Sequence, residues 1–206
     1  MHKKGSFWLA AGVVLICSAF ALVFYNLWLT NRAGESAGAA VKKLEEVIPT
    51  TPAALPSPNF LPEIEYPDYI LNPQMDMPET EVDGAKYIGI LEIPSLDMEL
   101  PIQSEWNYPN MRVSPCRYQG SIYLDNMVIC GHNYTTHFRP LFDIENGTSI
   151  FFTDVDGNRF EYKVAESEIL NGDAVEKMVS GDWDLTLFTC TSGGVYRVTV
   201  RCARVK

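Results

Sequence analysis

The chain has 206 residues, 20% of them charged, and a formal net charge of -10. Acidity of this size argues against binding nucleic acid, because neutralising phosphates takes clustered Lys and Arg. An apolar opening block and a proline-rich stretch leave about 120 residues, enough for one compact domain.

Residues Phe7 to Leu29 form an uncharged run of 23 residues. At ~1.5 Å rise per residue a helix of that length crosses a hydrocarbon core of ~30 Å. Trp8 near one end and Tyr25 and Trp28 near the other suit the interfacial aromatic belts. Lys3 and Lys4 precede the run and only Arg32 follows it closely, so residues 1–30 read as a cytoplasmic tip and a single membrane anchor, with the rest of the chain outside. The alternative is a cleaved signal peptide, whose apolar core spans ~7–15 residues and is shorter than this one.

From residue 31 to residue 84 the composition changes, and eight of the thirteen prolines fall between Pro49 and Pro78. Proline removes amide donors and favours extended backbone, so this stretch reads as a linker, with a short amphipathic helical piece around Val41 to Val47. Fully stretched, its residues would reach on the order of 180 Å.

Residues 85–206 show short apolar or alternating runs punctuated by Gly, Pro, Asn and Asp, the pattern of an all-β domain. Strands are expected at Tyr87 to Ile93, Glu99 to Gln103, Gly120 to Leu124, Met127 to Cys130, Ser149 to Thr153, Arg159 to Ala165, Leu185 to Cys190 and Val195 to Cys202. Asp156-Gly157 reads as a hairpin turn. A calcium loop at Asp154 and Asp156 is the weaker alternative, since Gly157 comes too early for the EF-hand order. One or two helical turns are expected at Arg139 to Glu145 and at Ala174 to Ser180. So many short strands in one small domain must manage their edges, which points to a closed or nearly closed β-barrel.

Five cysteines, Cys17, Cys116, Cys130, Cys190 and Cys202, do not make a disulfide framework. One bridge, for instance Cys116 with Cys202, stays open. Cys190 ends a strand and faces the glycine-rich loop Thr191-Ser192-Gly193-Gly194, where a thiol is reachable; the alternative is a buried structural cysteine. Across that loop the last strand carries Arg197 and Arg201 on one face. Arg197, nearer the turn, is the candidate for stabilising charge on a carbonyl under attack, and Arg201 reads as part of a solvated face. His132 follows a short apolar strand and Gly131, at a strand end where catalytic groups are easily displayed. His137, among Thr135, Thr136 and Phe138, reads equally well as an exposed loop residue. Cys130 and His132 alone supply too few ligands for a metal, and no metal or other cofactor is expected.

Together these pieces resemble the sortase family. The resemblance rests on Tyr87-Ile88-Gly89-Ile90-Leu91-Glu92-Ile93-Pro94, Gly131-His132-Asn133, Phe138-Arg139-Pro140-Leu141, Leu185-Thr186-Leu187-Phe188-Thr189-Cys190 and Arg197, in the family's order of His, Cys, Arg. It implies a sortase-like closed β-barrel of about eight strands with a few short helices. It implies a thiol transpeptidase of a Gram-positive cell surface, with Cys190 as nucleophile, His132 as general acid and base, Arg197 as oxyanion stabiliser, and Thr189 and Asn133 in substrate binding. Its partners would be secreted proteins bearing a C-terminal sorting motif, often Leu-Pro-x-Thr-Gly, and an amine acceptor on a peptidoglycan precursor or protein. No Asp-Pro-aromatic lid motif stands in the linker and no second apolar segment closes the chain, which disfavours a pilin-polymerising subclass. Two rival readings are a membrane-anchored cysteine peptidase or amidase, whose cysteine commonly precedes its histidine, and a non-catalytic anchored barrel with Cys190 buried.

Overall fold

The computed structural model describes residues 2–49, 66–181 and 183–205. The part of the expected linker from 50 to 65 lies outside the described residues. A single helix, α1, runs from His2 to Val47 and contains the whole apolar run. It is long and apolar enough to cross a membrane, with a mean hydropathy of 2.5 over its most apolar window. The helix does not stop where the apolar run stops: the helical piece expected around Val41 to Val47 is present, and residues 31–40 before it are helical too, where linker was expected. The stretch is alanine-rich and has no proline before Pro49, which removes the usual reason for a break. Ala33, Ala37, Ala40, Val41 and Leu44, spaced by three and four, form a buried stripe. Ala40, Val41 and Leu44 pack on Val82, Tyr87 and Ile90. Leu44 is fully buried, a contribution of about 2 kcal/mol.

The remainder is all-β. The strands are β1 (Thr80–Val82), β2 (Ala85–Ile93), β3 (Met98–Gln103), β4 (Cys116–Gln119), β5 (Met127–Gly131), β6 (Ser149–Asp154), β7 (Arg159–Asn171), β8 (Leu185–Cys190) and β9 (Tyr196–Arg204). Between them lie short helices α2 (Asp68–Leu71), α3 (Tyr108–Met111) and α4 (Val175–Val179), and 3-10 turns at Pro94–Leu96, Ile122–Leu124 and Arg139–Asp143. The sheet order is β1-β2-β3-β4-β5-β8-β9-β7-β6, and β2 pairs again with β6. The ring of β2 to β9 is thereby a closed eight-stranded barrel, as expected, with β1 a hairpin extension. Closure removes the exposed edges that a small sheet would otherwise present. Its interior is filled by Ile88, Ile102, Ile129, Phe152, Tyr162, Leu187 and Val200, among others.

Two expectations fail locally. The apolar residues Ile122 and Tyr123 belong to a 3-10 turn capped by Ser121, whose hydroxyl accepts from Tyr123 N at 3.2 Å; the strand lies earlier, at β4. β7 extends six residues past Ala165, because a bulge between Val164 and Glu166 resets the register with β9 and ends the clean alternation on which the sequence reading relied. The Asp156-Gly157 turn is present. Asp154 organises it, accepting from Asp156 N and Asn158 N at 3.0 and 2.8 Å, from Asn158 Nδ2 at 2.9 Å and from Tyr123 Oη at 2.8 Å.

Barrel closure depends on a missing side chain. Gly89 sits between β3 and β6 with φ +155, and a Cβ there would lie 2.2 Å from Thr153 O. Gly89→Ala is expected to destabilise the protein by at least ~3 kcal/mol, read as a melting-temperature fall of roughly 10 °C. Gly38→Ala on α1, where a Cβ meets nothing within 4 Å, should leave the melting temperature unchanged or higher.

Candidate active site

Cys190, His132 and Arg197 come together at one rim because of how three strands end. β8 lies between β5, which it pairs in parallel, and β9, which it pairs antiparallel. The parallel register sets Gly131 beside Thr189, so the chain leaves β5 at His132 where β8 ends at Cys190. The antiparallel register sets Cys190 opposite Arg197. All three side chains are half-buried and line one cavity of about 160 Å³. Aromatic rings wall it: Trp106 stacks on Tyr118 at 5.3 Å, and Tyr118 meets the edge of Phe188 at 5.4 Å. A larger cavity, about 470 Å³, lies between the end of α1 and the barrel and holds Glu45, Glu92, Glu99 and Arg159 but no thiol or imidazole. Size therefore does not locate the chemistry here.

The loop after Cys190 is a tight hairpin. Thr191 N donates to Tyr196 O at 2.9 Å, and Gly194 N to Thr191 O at 2.9 Å. Arg197 is braced on this loop, its Nη1 donating to Gly194 O at 2.8 Å and Tyr196 O at 3.0 Å. A braced guanidinium lining the same cavity as the sulfur suits charge that develops on a substrate oxygen.

Burial separates the cysteines. All five are free thiols, so the Cys116–Cys202 bridge is not formed. Register instead sets Cys116 across from Cys130. Burial pushes the Cys116 thiol up to about 12, and burial likewise raises Cys130 and Cys202, which keeps all three protonated. Cys130 and Cys190 both line the cavity, but Cys130 is buried whereas Cys190 is half-buried, the most exposed thiol of the barrel. Burial also lowers the pKa of His132, and the nearby Arg112 lowers it further, so the imidazole is neutral and able to take a proton at neutral pH.

A sequence model of the Sortase domain matches residues 91–205, more than half of the chain. The chain belongs to the sortase family. No curated protein sequence matches it. Sortase C1 of group B Streptococcus pilus island 1 superposes with a TM-score of 0.52 at 22% identity, over 58% of this chain and 64% of that one. Sortase C from Clostridium perfringens SM101 superposes with a TM-score of 0.51 at 22% identity, over 69% and 77%. A further structure of C. perfringens sortase C, with the C-terminal cell wall sorting motif, gives 0.52 at 22% identity, over 64% and 74%. At these identities the likeness is one of fold, and this sortase spans about two thirds to three quarters of their lengths.

The remaining expected site residues sit close by. Thr189 is buried, and its hydroxyl donates to Gly131 O at 2.8 Å, tying the end of β8 to the end of β5 one residue from each candidate group. Asn133 is half-buried beside His132. Two features differ from the sequence reading. Arg201 is buried, not solvated: it donates to Glu168 at 3.0 Å, Met178 O at 2.8 Å and Thr186 Oγ1 at 3.1 Å, and also to Lys177 O. It thereby holds the end of α4, whose Val175 and Met178 line the cavity. His137 is fully buried, not an exposed loop residue. The aromatic wall went unread too; the only sequence signal was Trp106 and Tyr108 in a polar loop.

Burial lowers His137 to about 4, with His132 a further cause. Its ordinary value in an unfolded chain is ~6.5. The folded protein therefore refuses a proton that the unfolded chain accepts, so stability is full above pH ~6.5 and falls toward pH ~4, by on the order of 3 kcal/mol. His137→Phe is expected to remove that component, read as a flatter dependence of the melting temperature on pH across this window.

Proposed function

We propose that this sortase is a membrane-anchored cysteine transpeptidase, with the barrel of residues 85–206 as its catalytic domain on the outer face of the cell. The observation that carries the proposal is the single rim shared by a reachable thiol, a neutral imidazole and a braced guanidinium. His132 takes the proton of the Cys190 thiol as the sulfur attacks the backbone carbonyl carbon of a sorting motif of the Leu-Pro-x-Thr-Gly kind, and Arg197 faces the oxygen that becomes negative. The tetrahedral species collapses as His132 delivers a proton to the leaving amine, which leaves a thioester on Cys190. An amine acceptor on a peptidoglycan precursor or a protein then attacks the thioester, giving its proton to His132, and the thiol is released. Asn133, half-buried and next to His132 in the chain, is the residue proposed to meet substrate; Thr189 is buried and contributes by fixing the two strand ends instead. The sorting motif bound to C. perfringens sortase C supports a peptide substrate of this class on the same fold.

The full-length chain in detergent micelles, given a sorting-motif peptide and an amine such as diglycine, is expected to yield the aminolysis product. Cys190→Ala should lower turnover by ~10³-fold or more. Equal turnover by Cys190→Ala would exclude the mechanism, and hydrolysis with no aminolysis product would make the protein a peptidase. Arg197→Lys, which keeps charge but loses the planar fork, should lower kcat by roughly 10²-fold. Arg112→Gln removes a positive charge that depresses His132, so the acidic limb of the aminolysis rate should move to higher pH.

A further inference from the structure

His132 opens a loop that closes on itself. Phe138 N donates to His132 O at 3.1 Å, and the amides of His137 and Arg139 donate to Tyr134 O at 3.0 and 3.1 Å. Three rings are layered within it. His132 lies on Tyr134 with centroids 4.8 Å apart, and Tyr134 lies on His137 at 5.3 Å. His132 forms the groove end of this stack, and His137 the inner, fully buried end. Neither ring nitrogen of His137 has a hydrogen-bond partner among the described residues, although the carbonyls of Ala33 and Val113 lie toward the ring. A phenyl ring would fill such a place without stranding polar atoms, so filling space does not account for an imidazole here.

The outer side of the same loop rests on α1. Thr136 Oγ1 donates to Thr30 O at 3.1 Å. Gly34 permits the approach, since a Cβ there would come 2.7 Å from Thr136 Cγ2 and 2.9 Å from Thr136 Cβ. Ala33 and Ala37, on the same side of the helix, are buried. The loop that carries His132 is therefore held on one side by the barrel and on the other by the helix that leaves the apolar run.

We infer that His137 is a positioning residue: lodged between α1 and Tyr134, it sets the direction in which the His132 imidazole faces the groove, and α1 is part of the support of the active site. The inference rests on the transpeptidase reading for His132's role, while the placement of the ring does not. A displacement of a general acid and base by a fraction of an ångström lowers turnover while leaving substrate binding largely intact.

Two substitutions test this in the full-length chain in micelles. His137→Phe keeps a ring and removes the stranded nitrogens. Gly34→Ala raises helix propensity and touches nothing in the groove, but pushes on Thr136. His137→Phe should not lower the melting temperature, whereas Gly34→Ala makes Thr136 shift, so a melting curve of each variant separates loss of fold from displacement of His132. Both are expected to lower kcat for a sorting-motif peptide about 10-fold or more with KM within about twofold. Both should also displace the His132 imidazole resonances, assigned by comparison with His132→Gln. Turnover within twofold of the parent together with unmoved His132 resonances in both variants would overturn the inference. If one variant does not fold, the other decides by the same two readouts. If the unsubstituted chain processes no sorting-motif peptide, the transpeptidase reading fails, and the resonances still decide whether His137 and α1 hold His132.

Discussion

The arrangement depends on β8 being paired on both sides, in parallel with β5 and antiparallel with β9. A parallel neighbour ends at the same rim as β8, and an antiparallel hairpin partner begins there. Three strand termini thus meet without any long loop having to be ordered. Thr189 reinforces the meeting by bonding across to Gly131, which links the residues just before the sulfur and the imidazole. Fixing reactive groups on strands or directly at their ends, rather than on flexible loops, is what lets a site keep its geometry before substrate arrives.

The same pairing explains why only one thiol of the barrel is available. Cys116, Cys130 and Cys202 are buried, where the neutral form is favoured, and Cys190, the last residue of β8, is half-buried. Arg201 and Arg197 show the parallel contrast on β9. They stand four positions apart, yet one is enclosed and holds α4 in place while the other is half-buried and lines the cavity with Cys190.

Much of this was legible from residue order. Leu185 to Cys190 reads as a strand because its β-prone residues stop at a glycine-rich loop, and the structure gives the same bounds. The Cys190 to Arg197 pairing follows from the shortness of that loop. What pattern could not supply were features set by distant partners. The bulge after Val164 breaks alternation only because β9 continues beside it. Ile122 and Tyr123 look like strand because they are apolar, yet a serine cap folds them into a turn. The burial of His137 and Arg201 depends on contacts with Ala33, Lys177 and Met178, none of which a local window contains. The helical stretch after Leu29 was hidden by a boundary drawn on hydropathy, when the deciding signal was the stripe from Ala33 to Leu44.

On the anchored reading proposed above, that stripe changes how the barrel meets its surroundings. A coil between membrane and barrel would allow a wide search above the bilayer. With the barrel seated directly on the emerging helix, the distance from Leu29 to Leu44 is only about 22 Å at 1.5 Å per residue. The groove is then carried on a short rigid post, at nearly constant height and facing. On that reading encounters fall to the mobility of whatever is brought to the membrane surface, and not to the swing of the barrel.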